Sequence, residues 1–210
     1  MPERRTATFD RPFPALTTAQ RYHLDVYGYV VIENSLTAVA TGRLLEALPR
    51  LKRDLLAAAD PSAAIVRNCR RSAHRPHYLH FAHILEADPA ICDYLTHPRL
   101  VGMAEELVGG SVRLEESEAV VNSRDPDADL SAVPRYGFHT GTGPDEGTYT
   151  ENGLFHCTFV KTLTNLTELG PDDGGTVVIA GSHKVKVDRK AVIAAAYDDP
   201  RLIHQVTAPA

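Results

Sequence analysis

The chain has 210 residues, 43% of them apolar and 23% charged, with 22 Lys and Arg against 27 Asp and Glu for a net charge of −5. That length suits one well-buried domain, and the composition excludes a disordered, collagen-like or coiled-coil chain. There is no basic excess to neutralise phosphates, so nucleic acid is a poor partner, and no apolar run approaches the roughly 20 residues of a membrane span.

Taken in chain order, residues 1–15 are polar, carry Pro2, Pro12 and Pro14, and read as an extended arm. No apolar stretch follows Arg4 and Arg5, so the start does not read as a secretory signal. Thr17 or Thr18 can cap a helix that runs to Val26 and stops at Gly28, and Tyr29–Ile32 reads as a strand. Leucines at 44, 45, 48, 51, 55 and 56 form a helical stripe, with a kink or a break expected at Pro49. A further helix is expected over 97–108, opened by Pro98 and closed by Gly109 and Gly110. Residues 16–110 are thus mainly helical.

After Gly110 the pattern turns to strands. Val112–Asn122, Tyr136–His139, Leu154–Leu166, Thr176–Ala180 and Leu202–Val206 read as strands, and 188–197 as a helix. Glycine-rich or acidic loops join them, among them the DPDADL run at 125–130, which reads as a solvated loop or a lid. Helices followed by strands argue for an α+β fold with an antiparallel sheet or jelly roll, in a single domain over 1–210. About five strands fall short of the about eight of a closed jelly roll, so the last strands are expected to be missing from 111–210. Cys69, Cys92 and Cys157 are odd in number, far apart and without CxxC spacing, which fits reduced thiols in a cytoplasm.

Three blocks carry a family likeness: LTTAQRYHLDVYGYVVIENSLT, HPRLVGMAEELVGG, and FHTG followed by DDGGTVVIAGSHK. In that order and spacing they resemble the phytanoyl-CoA dioxygenase family of non-haem iron, 2-oxoglutarate-dependent oxygenases, over residues 16 to 187. The resemblance implies a double-stranded β-helix (cupin-like) with N-terminal helices, and Fe(II) and 2-oxoglutarate as cofactors. It also implies a metal site of two histidines and one carboxylate, with open positions for 2-oxoglutarate and oxygen. The first pair is His-x-Asp on one strand, where alternation puts both side chains on one side.

Here that pair reads His139-Thr140-Gly141, so His139 matches and Gly141 stands where the carboxylate belongs. Several readings of Gly141 stay open. The wording is similar to a branch of the family with His-x-Gly, which is placed first. The same vacancy is similar to that of iron-dependent halogenases, in which a halide takes the empty position. A nearby acid, Asp145, Glu146 or Glu151, can substitute, or the site binds metal poorly. The family's distal His and its 2-oxoglutarate-binding Arg would follow Ala210, so the expectation is a C-terminally incomplete version of a longer enzyme. His183, in the GSHK turn, and His204 are read as ordinary hydrogen-bonded residues, with a substitute-ligand role held in reserve.

Lys161 lies inside an apolar run and needs an acidic partner or a route to water. The resemblance places it beside 2-oxoglutarate; the plainer reading is a lysine at the sheet rim. Asn122 carries the same ambiguity. His74, His77, His80 and His83 recur every third residue, a spacing that converges on neither a helix nor a strand, so the segment reads as a loop or short helix with a pH-sensitive surface cluster. Cys157 follows His156 directly, and strand neighbours point to opposite faces, so no Cys–His dyad is expected.

The expected function is hydroxylation of a small organic substrate coupled to oxidative decarboxylation of 2-oxoglutarate, with His139 as a metal ligand and Lys161 toward the cofactor. Two alternatives stand beside it, a non-catalytic cupin-like binding module and an iron halogenase.

Overall fold

The computed structural model describes residues 15–58, 65–66, 69–75, 77–127, 129, 136–139, 148–151, 154–171, 173–185 and 188–208. Helix α1 covers Thr18–Tyr27. Its start is a capping box: the Gln20 amide donates to Thr17 Oγ1 at 3.2 Å and the Thr17 amide donates to Gln20 Oε1 at 2.9 Å. Gly28 ends it at φ +81°, a left-handed conformation that favours glycine.

Helix α2, Ala38–Leu56, is capped by Thr37 and runs unbroken for 19 residues through Pro49. The expected break does not occur. A proline inside a helix costs about 3 kcal/mol, whereas burying each of Leu44, Leu51 and Leu55 returns about 1.5–3 kcal/mol. Two further helices follow at Pro89–Leu95 (α3) and Pro98–Val108 (α4). Both have proline in their first turn, and Gly109 closes α4 at φ +75°.

Four antiparallel strands form the main sheet in sequence order: β1 (Ile65–Val66), β2 (Cys69–Arg75), β3 (Tyr78–Ala82) and β4 (Glu118–Asn122). The histidine-rich segment is therefore a hairpin and not a loop or short helix, and strands are interleaved with the helices rather than following them all. The hairpin forms because Leu79 and Phe81 alternate into the core while His80 faces outward, which is the period of a half-buried strand.

Two smaller antiparallel pairs complete the described strands. One joins β5 (Thr148–Glu151) to β6 (Leu154–Cys157), and the other joins β7 (Val177–Ile179) to β8 (Ile203–Gln205). A short 3-10 turn, Ser182–Lys184, and helix α5, Arg189–Asp198, lie between β7 and β8. Leu169 and Ala208 make one further antiparallel bridge. The result is a mixed α+β architecture.

Two expected strands are absent and a third is cut short, and side chains take the backbone groups that strand neighbours would. Over 29–32 the Tyr29 carbonyl accepts from His23 Nδ1 at 2.8 Å, in place of a strand neighbour. Over 136–139 the backbone of Tyr136 is taken by a tyrosine hydroxyl, described below. The run from Leu154 is a strand only to Cys157, after which polar side chains hold it in irregular form. Conversely, Thr148–Glu151 is a strand where a loop was expected.

One hydrophobic core unites α2, α3 and the main sheet through Leu44, Leu51, Leu55, Cys69, Leu79, Phe81 and Ile91. Leu166 reaches it from the later half of the chain. Among the described residues no helix is long and apolar enough to cross a membrane.

Candidate metal centre

His139 closes a short irregular segment, Tyr136–His139, in which exposure alternates: Tyr136 and Phe138 are half-buried, Gly137 and His139 exposed. The Tyr136 amide donates to the Tyr197 hydroxyl at 2.8 Å, and that hydroxyl donates to the Tyr136 carbonyl at 3.4 Å. The Phe138 ring lies 5.5 Å from that of Tyr136 and 6.2 Å from that of Tyr197, edge-on to the latter. Tyr197 belongs to α5, whose one fully buried side chain is the preceding residue, Ala196.

A neutral imidazole is a proper donor for ferrous iron, so His139 suits one position of an iron site. Gly141, Asp145 and Glu146 lie outside the described residues, and so does the side chain of Glu151 on β5. Among the described residues no group of three His, Cys, Asp or Glu side chains is placed to hold a metal ion.

Lys161 Nζ sits 2.7 Å from Glu116 and 3.0 Å from Glu118, both just before or on β4. His80 Nε2 on β3 lies 3.3 Å from the other Glu118 oxygen. Burial works against the charge on Lys161, but the two carboxylates outweigh it and raise the ammonium above its ordinary value. Burial likewise pushes Glu118 up, and the bonds and charges of Lys161 and His80 outweigh it, leaving the carboxyl below its usual range. Lys161 thus has the acidic partners its position demanded, and Asn122 ends the same strand β4.

The remaining histidines are dispersed. His77 pairs with Ser123 at 3.2 Å and Asp125 at 3.7 Å, whereas His80 turns to Glu118, so these two do not converge on one point; the side chain of His74 lies outside the described residues. His204 Nδ1 meets the Tyr29 hydroxyl at 3.0 Å. His183 Nε2 donates to the Asp25 carbonyl at 3.2 Å, packed against Gly28. Burial and the neighbouring Lys184 charge push its pKa down, only partly offset by Asp25. Both contacts are the ordinary hydrogen bonds expected for these residues.

Cys157 donates its thiol to the Phe159 carbonyl at 3.3 Å. Burial raises its pKa above the ordinary thiol value, opposed in part by that bond and by the Arg21 charge. A hollow of about 390 Å³ opens between α1 and α4, lined by Leu16, Thr18, Arg21, Tyr22, Asp25 and Glu106. Neither His139 nor Lys161 lines it.

Sequence reasoning missed Tyr197 and the pair Glu116 and Glu118. The glutamates were findable as partners for a lysine inside an apolar run. Tyr197, in an AAAYDD stretch 58 residues or more from His139 along the chain, gives no local signal.

The family model for "Phytanoyl-CoA dioxygenase (PhyH)" matches residues 24–202. Two solved structures of HygX from Streptomyces hygroscopicus share the fold. One, with nickel, 2-oxoglutarate and hygromycin B bound, is 19% identical with a TM-score of 0.63 over 93% of this chain and 76% of that one. The other, with nickel and 2-oxoglutarate bound, is 18% identical with a TM-score of 0.60 over 93% and 75%. No curated protein sequence matches the chain.

Proposed function

The chain belongs to the phytanoyl-CoA dioxygenase family, and we propose that it hydroxylates a small organic molecule, with His139 as an iron ligand. Enzymes of this family are Fe(II)- and 2-oxoglutarate-dependent oxygenases. The observation that carries the proposal is the extent of the family match, residues 24–202, which includes the FHTG and GSHK blocks in one frame. In this reading 1–210 is a single oxygenase-like domain, and its antiparallel pieces belong to a double-stranded β-helix. The odd number and wide spacing of the three cysteines fit the cytoplasmic location proposed for it. A small-molecule substrate is supported by hygromycin B bound in the similar HygX fold.

Bound iron with 2-oxoglutarate would supply the oxidising chemistry through open coordination positions. The protein's own contribution is to hold the imidazole of His139 at a fixed place. Lys161 is the residue proposed toward 2-oxoglutarate. Glu116 and Glu118 keep its ammonium charged, and in that role the ammonium would exchange both glutamates for the carboxylate of the cofactor. The test is succinate formed from 2-oxoglutarate under air with ferrous iron. Turnover that disappears in H139A supports the reading; turnover equal to wild type in H139A sinks it.

Gly141 favours a second reading, halogenation, because a glycine leaves a coordination position without a side-chain ligand. A halide-dependent change in the spectrum of the loaded protein, and hydroxylation gained by G141D, are its expected signs. Identical spectra with and without chloride count against it, and no succinate under any condition points to a non-catalytic binding module.

A further inference from the structure

We propose that Tyr197 is the positioning residue for His139. The proposal rests on the reading of His139 as an iron ligand and adds the device that holds it. Residues 136–139 lie in none of the described strands, and the backbone of Tyr136 has a side-chain anchor. The Tyr197 hydroxyl provides it by accepting from the Tyr136 amide at 2.8 Å and donating to the carbonyl of the same residue at 3.4 Å. One side chain thereby replaces the donor and the acceptor of a missing strand neighbour.

The rings fix the rotation of the segment. In extended backbone, residues 136 and 138 share one side and residues 137 and 139 the other. Tyr136 and Phe138 stack at 5.5 Å, and Phe138 meets Tyr197 at 6.2 Å. With that side turned to α5, His139 is directed to the opposite, exposed side. The anchor itself sits on a rigid support. Asp188 caps the start of α5 through the amides of Lys190 and Ala191, and Ala196, next to Tyr197, is fully buried. Removing a partner hydrogen-bonded to a metal ligand typically changes metal affinity by 10- to 100-fold, and Tyr197, which grips the segment three residues from His139, is expected at the low end of that range.

The experiment compares wild type, Tyr197→Phe and His139→Ala by ferrous-iron affinity, measured by competition with a ferrous chelator in the presence of 2-oxoglutarate. Tyr197→Phe keeps the ring beside Phe138 and removes only the hydroxyl. It is expected to weaken iron binding about tenfold, shift the visible band of the loaded protein and speed amide exchange at Tyr136, with little change in the melting temperature of the metal-free chain. Phe138→Leu, which keeps the hydroxyl, is expected to weaken binding in the same direction by less. If His139→Ala abolishes binding while Tyr197→Phe and Phe138→Leu both bind as wild type does, the positioning role is overturned and the ligand assignment survives. If wild type and His139→Ala bind iron equally, or neither binds, the ligand assignment falls and takes this proposal with it.

Discussion

Residues 38–122 cohere through apolar packing, whereas residues 136–208 cohere through hydrogen bonds and ion pairs. In the first region α2, α3 and the main sheet bury Leu44, Leu51, Leu55, Leu79, Phe81 and Ile91 around one core. In the second, Ala196 is the single buried hydrophobic residue among those described. Its attachments are polar instead: Tyr197 on Tyr136, Lys161 on Glu116 and Glu118, Thr164 on Tyr94, and His204 on Tyr29. Apolar packing is non-directional and tolerates exchange, but a hydrogen bond fixes one atom against another. The difference teaches that stability resides mainly in the first region, while the second spends its contacts on placing particular side chains, His139 among them.

The comparison breaks most visibly at Leu55, which is fully buried at the centre of the core. Leu55→Ala should cost about 2–5 kcal/mol in denaturant unfolding, a loss no single substitution in 136–208 should match. Next comes Gly28, where the later region packs against the end of α1. Its left-handed backbone at φ +81° costs any other residue about 1–2 kcal/mol. A Cβ there would also lie 2.4 Å from His183 Nδ1. Gly109 has a similar φ of +75° and nothing near its missing Cβ. The excess destabilisation of Gly28→Ala over Gly109→Ala therefore reads the packing of His183 against α1.

Tyr94→Phe removes the 2.8 Å bond to Thr164 that ties α3 to the later segment, and should cost about 1 kcal/mol. The His183 pKa is depressed, so its neutral form belongs to the folded state. Stability from it is complete above the unfolded value near about 6.5 and is lost as pH falls toward the folded value. His183→Gln should flatten that slope in unfolding curves taken across the acid side of neutrality.

The smallest effect is expected at Lys161, because its pairs are largely exposed. Lys161→Met should change stability by less than about 1 kcal/mol. The depressed Glu118 contributes above about pH 4.3 and is lost as pH falls through its folded value, whereas the raised Lys161 contributes below about pH 10.4 and is lost above its own. The variant should therefore differ from wild type across that window and converge with it at either end.

Helix ends were legible because their chemistry is local. Thr17 with Gln20, Gly28, Pro98 and Gly109 lie within a turn of the boundaries they set. The signal for α3 was also present, as Asp88 caps it and Pro89 opens it, but seven residues are too few to show a stripe. Strands were less legible because a strand needs a partner that the sequence does not name. Tyr29–Ile32 and Tyr136–His139 have the right residue types and end up bonded to His23 and Tyr197 instead. The hairpin over 69–82 was hidden by its histidines and arginines, and the alternation of His80 with Leu79 and Phe81 becomes clear only once the core is known. At the proposed site, a sequence motif points to His139, but the tyrosine that grips its segment lies on a distant helix.

The most direct test of the account is an anaerobic titration of the 210-residue chain with ferrous iron and 2-oxoglutarate, following the visible charge-transfer band, beside the same titration of H139A. The account predicts a saturable band that needs both additions and is absent from the variant. A band of equal strength in H139A, or no band in wild type, would contradict the assignment of His139 as the iron ligand.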